Sequence, residues 1–269
     1  MGTFKGPLDF NGSVGGFNGY YDRDAKKKVI REKKGKNKNN NKHAPRALDQ
    51  NREFKAMCIF SKFIRRATLD IESLKNGRLA GYLNRIAKTI QLLDDDGILG
   101  YRTILSSEYT YPLKGFCFNN AHPFKEVFQV APEISISEDR REVTLKLTNF
   151  KSKSKFNWPE KVGHYRIYML NFALKDVAWD PDRNAYDPTY TSQRLVKSFV
   201  ISNWFSVESV ARDIQLAATF REELQIPENS SIVTVMGLEF ASAYDNDLYY
   251  VVKDHGTAYI AEVFSGQPA

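Results

Sequence analysis

Gly12 to Gly19, read GSVGGFNG, is the stretch whose residue types come nearest to a phosphate-binding loop. Such loops work when a preceding strand delivers the glycines to a helix N-terminus, whose unpaired amides then meet the phosphates. Only eleven residues stand upstream, no Lys-Ser or Lys-Thr follows, and YYDRD does not open a helix. Glycine here serves tight turns or close backbone approach. The four histidines, His43, His122, His164 and His255, have no second histidine at helical ligand spacing and no paired cysteine, so no metal site and no cofactor is expected. Asp94, Asp95 and Asp96 lack the alternating ligands and distal acid of a calcium loop and read as a solvated helix end. Asp245 and Asp247 in YDNDLYY read as a hairpin turn. Cys58 and Cys117 sit in AMCIF and GFCFN, a pair with neither a disulfide framework nor metal spacing, and are expected as buried thiols. No nucleophile elbow occurs, and no serine or cysteine has a local activating partner. The expectation is a protein that is not an enzyme.

What remains is charge and aromatic surface. Lys26, Lys27, Lys28, Arg31, Lys33, Lys34, Lys36, Lys38 and Lys42, offset only by Glu32, place +8 in seventeen residues. Residues 1 to 88 carry 21 basic against 8 acidic side chains, or +13, whereas residues 89 to 269 carry 18 against 24, or −6. Such a division suits either an external polyanion or the acidic part of another copy. Arg52, Lys55, Lys62 and Arg66 add a second basic group if their segment is helical, since 100° per residue brings them onto one face. Phe10, Phe17, Tyr20 and Tyr21 stand on a glycine-rich arm too light to build a core, so they must pack elsewhere. A neighbouring subunit, the chain's own C-terminal half and stacked bases of single-stranded nucleic acid are the three choices.

The elements that position these residues follow from periodicity. FNGYYD and KKVIREK are able to pair around DRDA, which puts Val29 and Ile30 beside the aromatics in a hairpin, and an isolated two-stranded hairpin is marginal in water. Residues 1 to 34 are therefore an arm in need of a surface, and residues 35 to 48, containing GKNKNNNK, a basic linker. From Asp49, Phe54, Met57, Phe60, Ile64, Ala67, Ile71 and Leu74 recur every three or four residues, the pattern of an amphipathic helix. A second helix from Arg78 carries Leu79, Leu83, Ile86, Ile90 and Leu93 and stops at Gly97, so residues 49 to 123 form a helical hairpin region jointed at Asn76-Gly77. From residue 124 the period becomes two. PEISISEDRREVTLKLTNF is a hairpin, followed by strands in HYRIYMLNFALKDVAW, TYTSQRLVKSFVISNW, DIQLAATF, SSIVTVMGLEFAS, DLYYVVKD and TAYIAEVF. VESVARDIQLAATFREEL also fits a helical stripe, with strand as the preferred reading. The predicted class is α+β: a glycine-rich arm, a helical hairpin and a C-terminal antiparallel Ig-like β-sandwich, with a jelly-roll strand order left open.

The Gly-rich opening with KKVIREKKG, then NREFKAMCIFSKFIRRA, and the closing IVTVMGLEFAS and YYVVKDHGTAYIAEVF resemble an uncharacterised group of Bacteroidetes proteins that share this domain order. The resemblance implies a lineage and transfers no functional residue. No run reaches the roughly 20 apolar residues that span a bilayer, and no basic-then-apolar leader opens the chain. A cytoplasmic protein without membrane insertion is expected, with non-classical release or association with a particle as the alternative. The leading functional expectation is a homo-oligomeric structural protein that self-assembles into a filament or shell, its arm docking on a neighbour through strand addition. The alternative is a nucleic-acid-associated or capsid-like protein whose basic arm binds polyanion. A third reading, a carbohydrate- or protein-binding sandwich, rests on exposure of Trp158, Trp179 and Trp204.

Overall fold

The computed structural model describes residues 10–22, 27–33, 45–151, 162–187, 195–208, 210–245, 248–252 and 255–266. It is a mixed α+β protein with several antiparallel sheets, divided into two units, Met1–Leu48 and Asp49–Ala269.

In the first unit β1 (Gly12–Val14), β2 (Phe17–Asp22) and β3 (Lys27–Glu32) form one antiparallel sheet in chain order. The expected pairing of FNGYYD with KKVIRE is present, Tyr20 opposite Val29 and Asp22 opposite Lys27, and a third strand joins it. Val14 pairs with Phe17 across Gly15-Gly16, and Gly15 has the positive φ of 55° that a two-residue hairpin loop needs at its first position. The DRDA turn reaches beyond the described residues.

The second unit opens with α1 (Pro45–Ala67), which begins inside the expected linker, a 3₁₀ turn at Leu69–Leu74, and α2 (Leu79–Gln91), which ends before Gly97. Met57, Phe60, Ile64 and Ala67 of α1 and Leu79, Leu83, Ala87 and Ile90 of α2 are buried, as the threes-and-fours spacing requires. Phe54 departs from its expected place and is 53% exposed. It lies at the margin of the stripe, whose centre at that level is taken by Glu53, buried and bonded to Lys88 Nζ at 2.7 Å and the Gly100 amide at 3.1 Å. Cys58, expected to be buried, is exposed on α1, and Cys117 is half-buried.

After the short α3 (Phe124–Val127) come β4 (Glu133–Ile136) and β5 (Glu142–Phe150), then the long β6 (His164–Lys175). A ribbon of β7 (Trp179–Asp180) and β8 (Ala185–Tyr186) precedes β9 (Lys197–Ile201), β10 (Phe205–Ser206) and β11 (Arg212–Thr219). The chain closes with β12 (Ser230–Asp245), β13 (Leu248–Val251) and β14 (Thr257–Phe264). DIQLAATF is thus strand rather than helix. The short sheet has the order β4-β5-β11. The long sheet centres on β6 paired with β12; β9 and β10 flank β6, while β13 and β14 share the far side of β12.

Two cores make three layers of the second unit. One face of the long sheet, with Tyr168, Leu170, Phe172, Val233 and Val235, packs on α1 and α2. The opposite face, with Tyr165, Ile167, Met169, Met236 and Leu238, packs on Val143, Leu145, Ile214 and Leu216 of the short sheet. β6 and β12 are consequently buried nearly throughout, whereas β11 alternates residue by residue because only one face is covered. Leu74, at the end of the 3₁₀ turn, seats itself between Gly237 and Gly256; a Cβ on either glycine would stand 2.5 Å from its methyls. The outer edge of β14 is closed by the 115–118 segment, with the Gly115 amide donating to the Ile260 carbonyl at 2.8 Å and the Phe118 amide to Ala258 at 2.8 Å.

Candidate interaction surfaces

Alternation along β2 and β3 sorts the N-terminal sheet into two faces. Phe17, Gly19 and Tyr21 of β2 share one with Val14, Lys28 and Ile30, by the registers Phe17 to Val14, Gly19 to Ile30 and Tyr21 to Lys28. Phe10 lies across Gly19, where an added Cβ would meet its ring at 3.1 Å. Val14, Phe17 and Tyr21 remain 59%, 53% and 49% exposed. Tyr20, Val29 and Arg31 occupy the other face; Val29 is buried, and Arg31 stands 4.9 Å over the Tyr20 ring and bonds its hydroxyl. Lys33 turns its Nζ to the Gly15 carbonyl at 3.4 Å. Lys27 and Lys28 belong to β3, and Lys26, Lys34, Lys36, Lys38 and Lys42 lie outside the described residues.

The basic helix group is less uniform than its spacing predicts. Lys55, Lys62 and Arg66 are exposed on α1. Arg52 instead bonds Asp49 at 3.0 Å and the Tyr101 hydroxyl at 2.8 Å, its guanidinium 5.0 Å from the Tyr101 ring. Of the tryptophans, Trp158 is outside the described residues, and Trp179 is half-buried edge-on to Tyr101 and Tyr186 at 5.0 and 5.3 Å.

Trp204 belongs to a cluster that sequence reasoning missed. Beyond the helices, on the same face of the long sheet, Arg166 of β6 pairs in register with Glu239 of β12. Glu239 is 4% exposed, and its Oε2 accepts from Arg166 Nε at 2.7 Å and from the Tyr168 hydroxyl at 2.7 Å, while Oε1 accepts from Ser73 at 3.3 Å. The Arg166 guanidinium lies 4.5 Å from the Trp204 ring centre and 5.2 Å from that of Tyr168. Trp204 stacks on Tyr249 of β13 at 5.2 Å, and Tyr249 meets His164 edge-on at 4.9 Å. Burial, with the bond to Glu239, pushes the Tyr168 hydroxyl far above its ordinary pKa, so it remains a donor at any physiological pH. These groups form a continuous cation–π ladder, flat and rigid, bordered by Ile201 and Val251, each 38% exposed. A signal existed: Glu239 is the lone charge in the apolar run IVTVMGLEFA, and such a buried charge demands a partner.

Elsewhere the polar groups serve the fold. Asp94 accepts from the Thr103 amide at 2.6 Å. Asp245 ends β12 opposite Leu248, as a hairpin requires. His122 and His255 stack at 4.9 Å, and among the described residues no group of three His, Cys, Asp or Glu is placed to hold a metal. Asp176 gathers Ser106 Oγ at 3.1 Å, the Ser107 amide at 2.7 Å and Ser107 Oγ at 2.6 Å. A groove of about 1010 Å³ runs between the β4–β5 turn and residues 221–229; Arg141 within it is committed to the carbonyls of Arg221, Glu222 and Leu224 at 3.3 Å each. Among the described residues no helix is long and apolar enough to cross a membrane.

Comparison of the chain with protein-family models, with curated proteins and with solved structures returns no match.

Proposed function

We propose that this chain is a non-enzymatic structural protein that self-assembles, its N-terminal sheet acting as an arm that docks on a neighbouring copy. The observation that carries this reading is the apolar face of that sheet. Phe17, Val14 and Tyr21 are about half exposed on three strands that have no mass of their own to cover them. The cost of leaving such area in water is about 25 cal/mol per Å². A second copy is favoured as the cover by charge, because the +8 run from Lys26 to Lys42 complements the −6 of residues 89 to 269. A contact of this kind, between two different surfaces, extends into a filament unless its rotation closes a ring.

An Ig-like order for the scaffold is part of the same reading. Assigning β4, β5, β6, β9, β11, β12 and β14 to the Ig strands A, B, C, C′, E, F and G gives A-B-E facing C′-C-F-G, and the observed pairings β5 with β11 and β6 with β12 support it. The helices would then be an added layer on the outer face of the C′-C-F-G sheet.

Light scattering on the full chain and on a chain lacking residues 1 to 34 tests the function, with Phe17→Ser plus Tyr21→Ser as the milder variant. Oligomers that fall to single chains in both variants are expected; single chains before and after would end the reading. Low-salt retardation of DNA that disappears when Lys26 to Lys42 are neutralised would put a polyanion-binding role in its place.

A further inference from the structure

We infer that the acceptor for the arm of a second copy is the cation–π ladder on the long sheet, the stretch of that face which α1, α2 and the 3₁₀ turn leave uncovered. The inference rests on the self-assembly reading and adds to it the identity of the receiving surface.

Composition, order and charge converge on this surface. Trp, Tyr and Arg are the residue types that dominate the centres of protein interfaces, because they offer large rigid area at small entropic cost. Here Trp204, Arg166, Tyr168 and Tyr249 are already stacked on one another and pinned by Glu239, so a partner meets side chains whose rotamers are fixed before contact. The neutral Arg166–Glu239 pair presents no naked charge to an apolar partner. Ile201 and Val251 flank the ladder with exposed aliphatic surface, a fit for Phe17, Val14 and Tyr21 packing sheet face to sheet face. The border is acidic: residues 239 to 254 contain Glu239, Asp245, Asp247 and Asp254 against Lys253 alone. A basic apolar arm therefore meets an aromatic surface beside an acidic hairpin, which fixes orientation as well as affinity.

The test is complementation between full-length chains. The arm variant carries Phe17→Ser and Tyr21→Ser; the ladder variant carries Ile201→Lys and Val251→Lys, both at exposed strand positions that accept lysine without disturbing a core. Circular dichroism checks that each is folded, and light scattering reads particle mass. Each variant alone is expected to show the mass of one chain, and an equal mixture the mass of two, because only one intact arm and one intact ladder remain and growth stops there. A ladder variant that assembles like the unaltered protein while the arm variant does not would overturn the ladder as acceptor and leave self-assembly standing. Two single-chain variants that do not pair on mixing would also overturn it. An unaltered protein that is itself a single chain would remove both readings together.

Discussion

A methyl group is all that Gly237 keeps out of the contact between the 3₁₀ turn and the long sheet. An alanine there would place Cβ 2.5 Å from Leu74 Cδ1 and 3.2 Å from Tyr168 Cβ, and Leu74 is fully buried with nowhere to retreat. Gly237→Ala is expected to lower stability by about 1–3 kcal/mol, the usual cost of overpacking, as read from the urea midpoint; an unchanged midpoint would mean that the turn shifts freely. Asp176 makes a different residue-scale prediction. Burial holds its carboxyl above the ordinary value of 3.8 despite the opposing Ser107 and Ser106 bonds. The folded protein therefore binds the proton more tightly than the unfolded chain. The stability this gives is full below about pH 3.8 and is lost as pH rises through the raised folded value, at no more than about 1.4 kcal/mol per pH unit. Urea titrations across that window should show a falling profile that Asp176→Asn flattens; parallel profiles would contradict it. Neither effect is legible in the sequence. Gly237 stands in an ordinary strand pattern, and Asp176 meets Ser106 and Ser107 only after the chain has folded across some seventy positions.

At the scale of elements, local periodicity carried the assignment far. The hairpin of β4 and β5, the strands from β9 to β14 and both long helices follow from apolar spacing that depends on the backbone repeat alone. The boundaries were less legible: α1 starts at Pro45, where the residues preceding Asp49 carry no apolar stripe to announce it. More informative is the near-continuous burial of β6 and β12. A strand in a sheet with one solvated face alternates, whereas YMLNFAL and IVTVMGLEFA do not, and that run was the sign of a layer on each side. Hydrogen exchange should report the same layering. Amides of Leu170, Asn171 and Phe172 and of Val233 to Met236 are expected to exchange only on global unfolding, while the edge strand β4 opens locally and faster. Equal protection of β4 and β6 would argue against the three-layer packing.

For the whole molecule, the opposed charges of the two ends and the exposed apolar sheet point to association, and the deletion and complementation experiments address that level. What the sequence determined by itself was local and compositional: where strands and helices lie, that the opening glycines have no helix to serve, that the first third is basic and the remainder acidic. The pattern along a segment fixes which face is apolar, since side-chain direction repeats every 2.0 or 3.6 residues. Which surface covers that face depends on pairings between distant segments, and no local repeat encodes those. Tertiary structure alone therefore decided that Tyr168 and Leu170 lie under helices while Arg166, two residues earlier on the same face, meets Glu239 from β12, Trp204 from the β9–β10 connection and Tyr249 from β13. Those partners stand apart in sequence and come together only because β6, β12 and β13 are ordered side by side in one sheet.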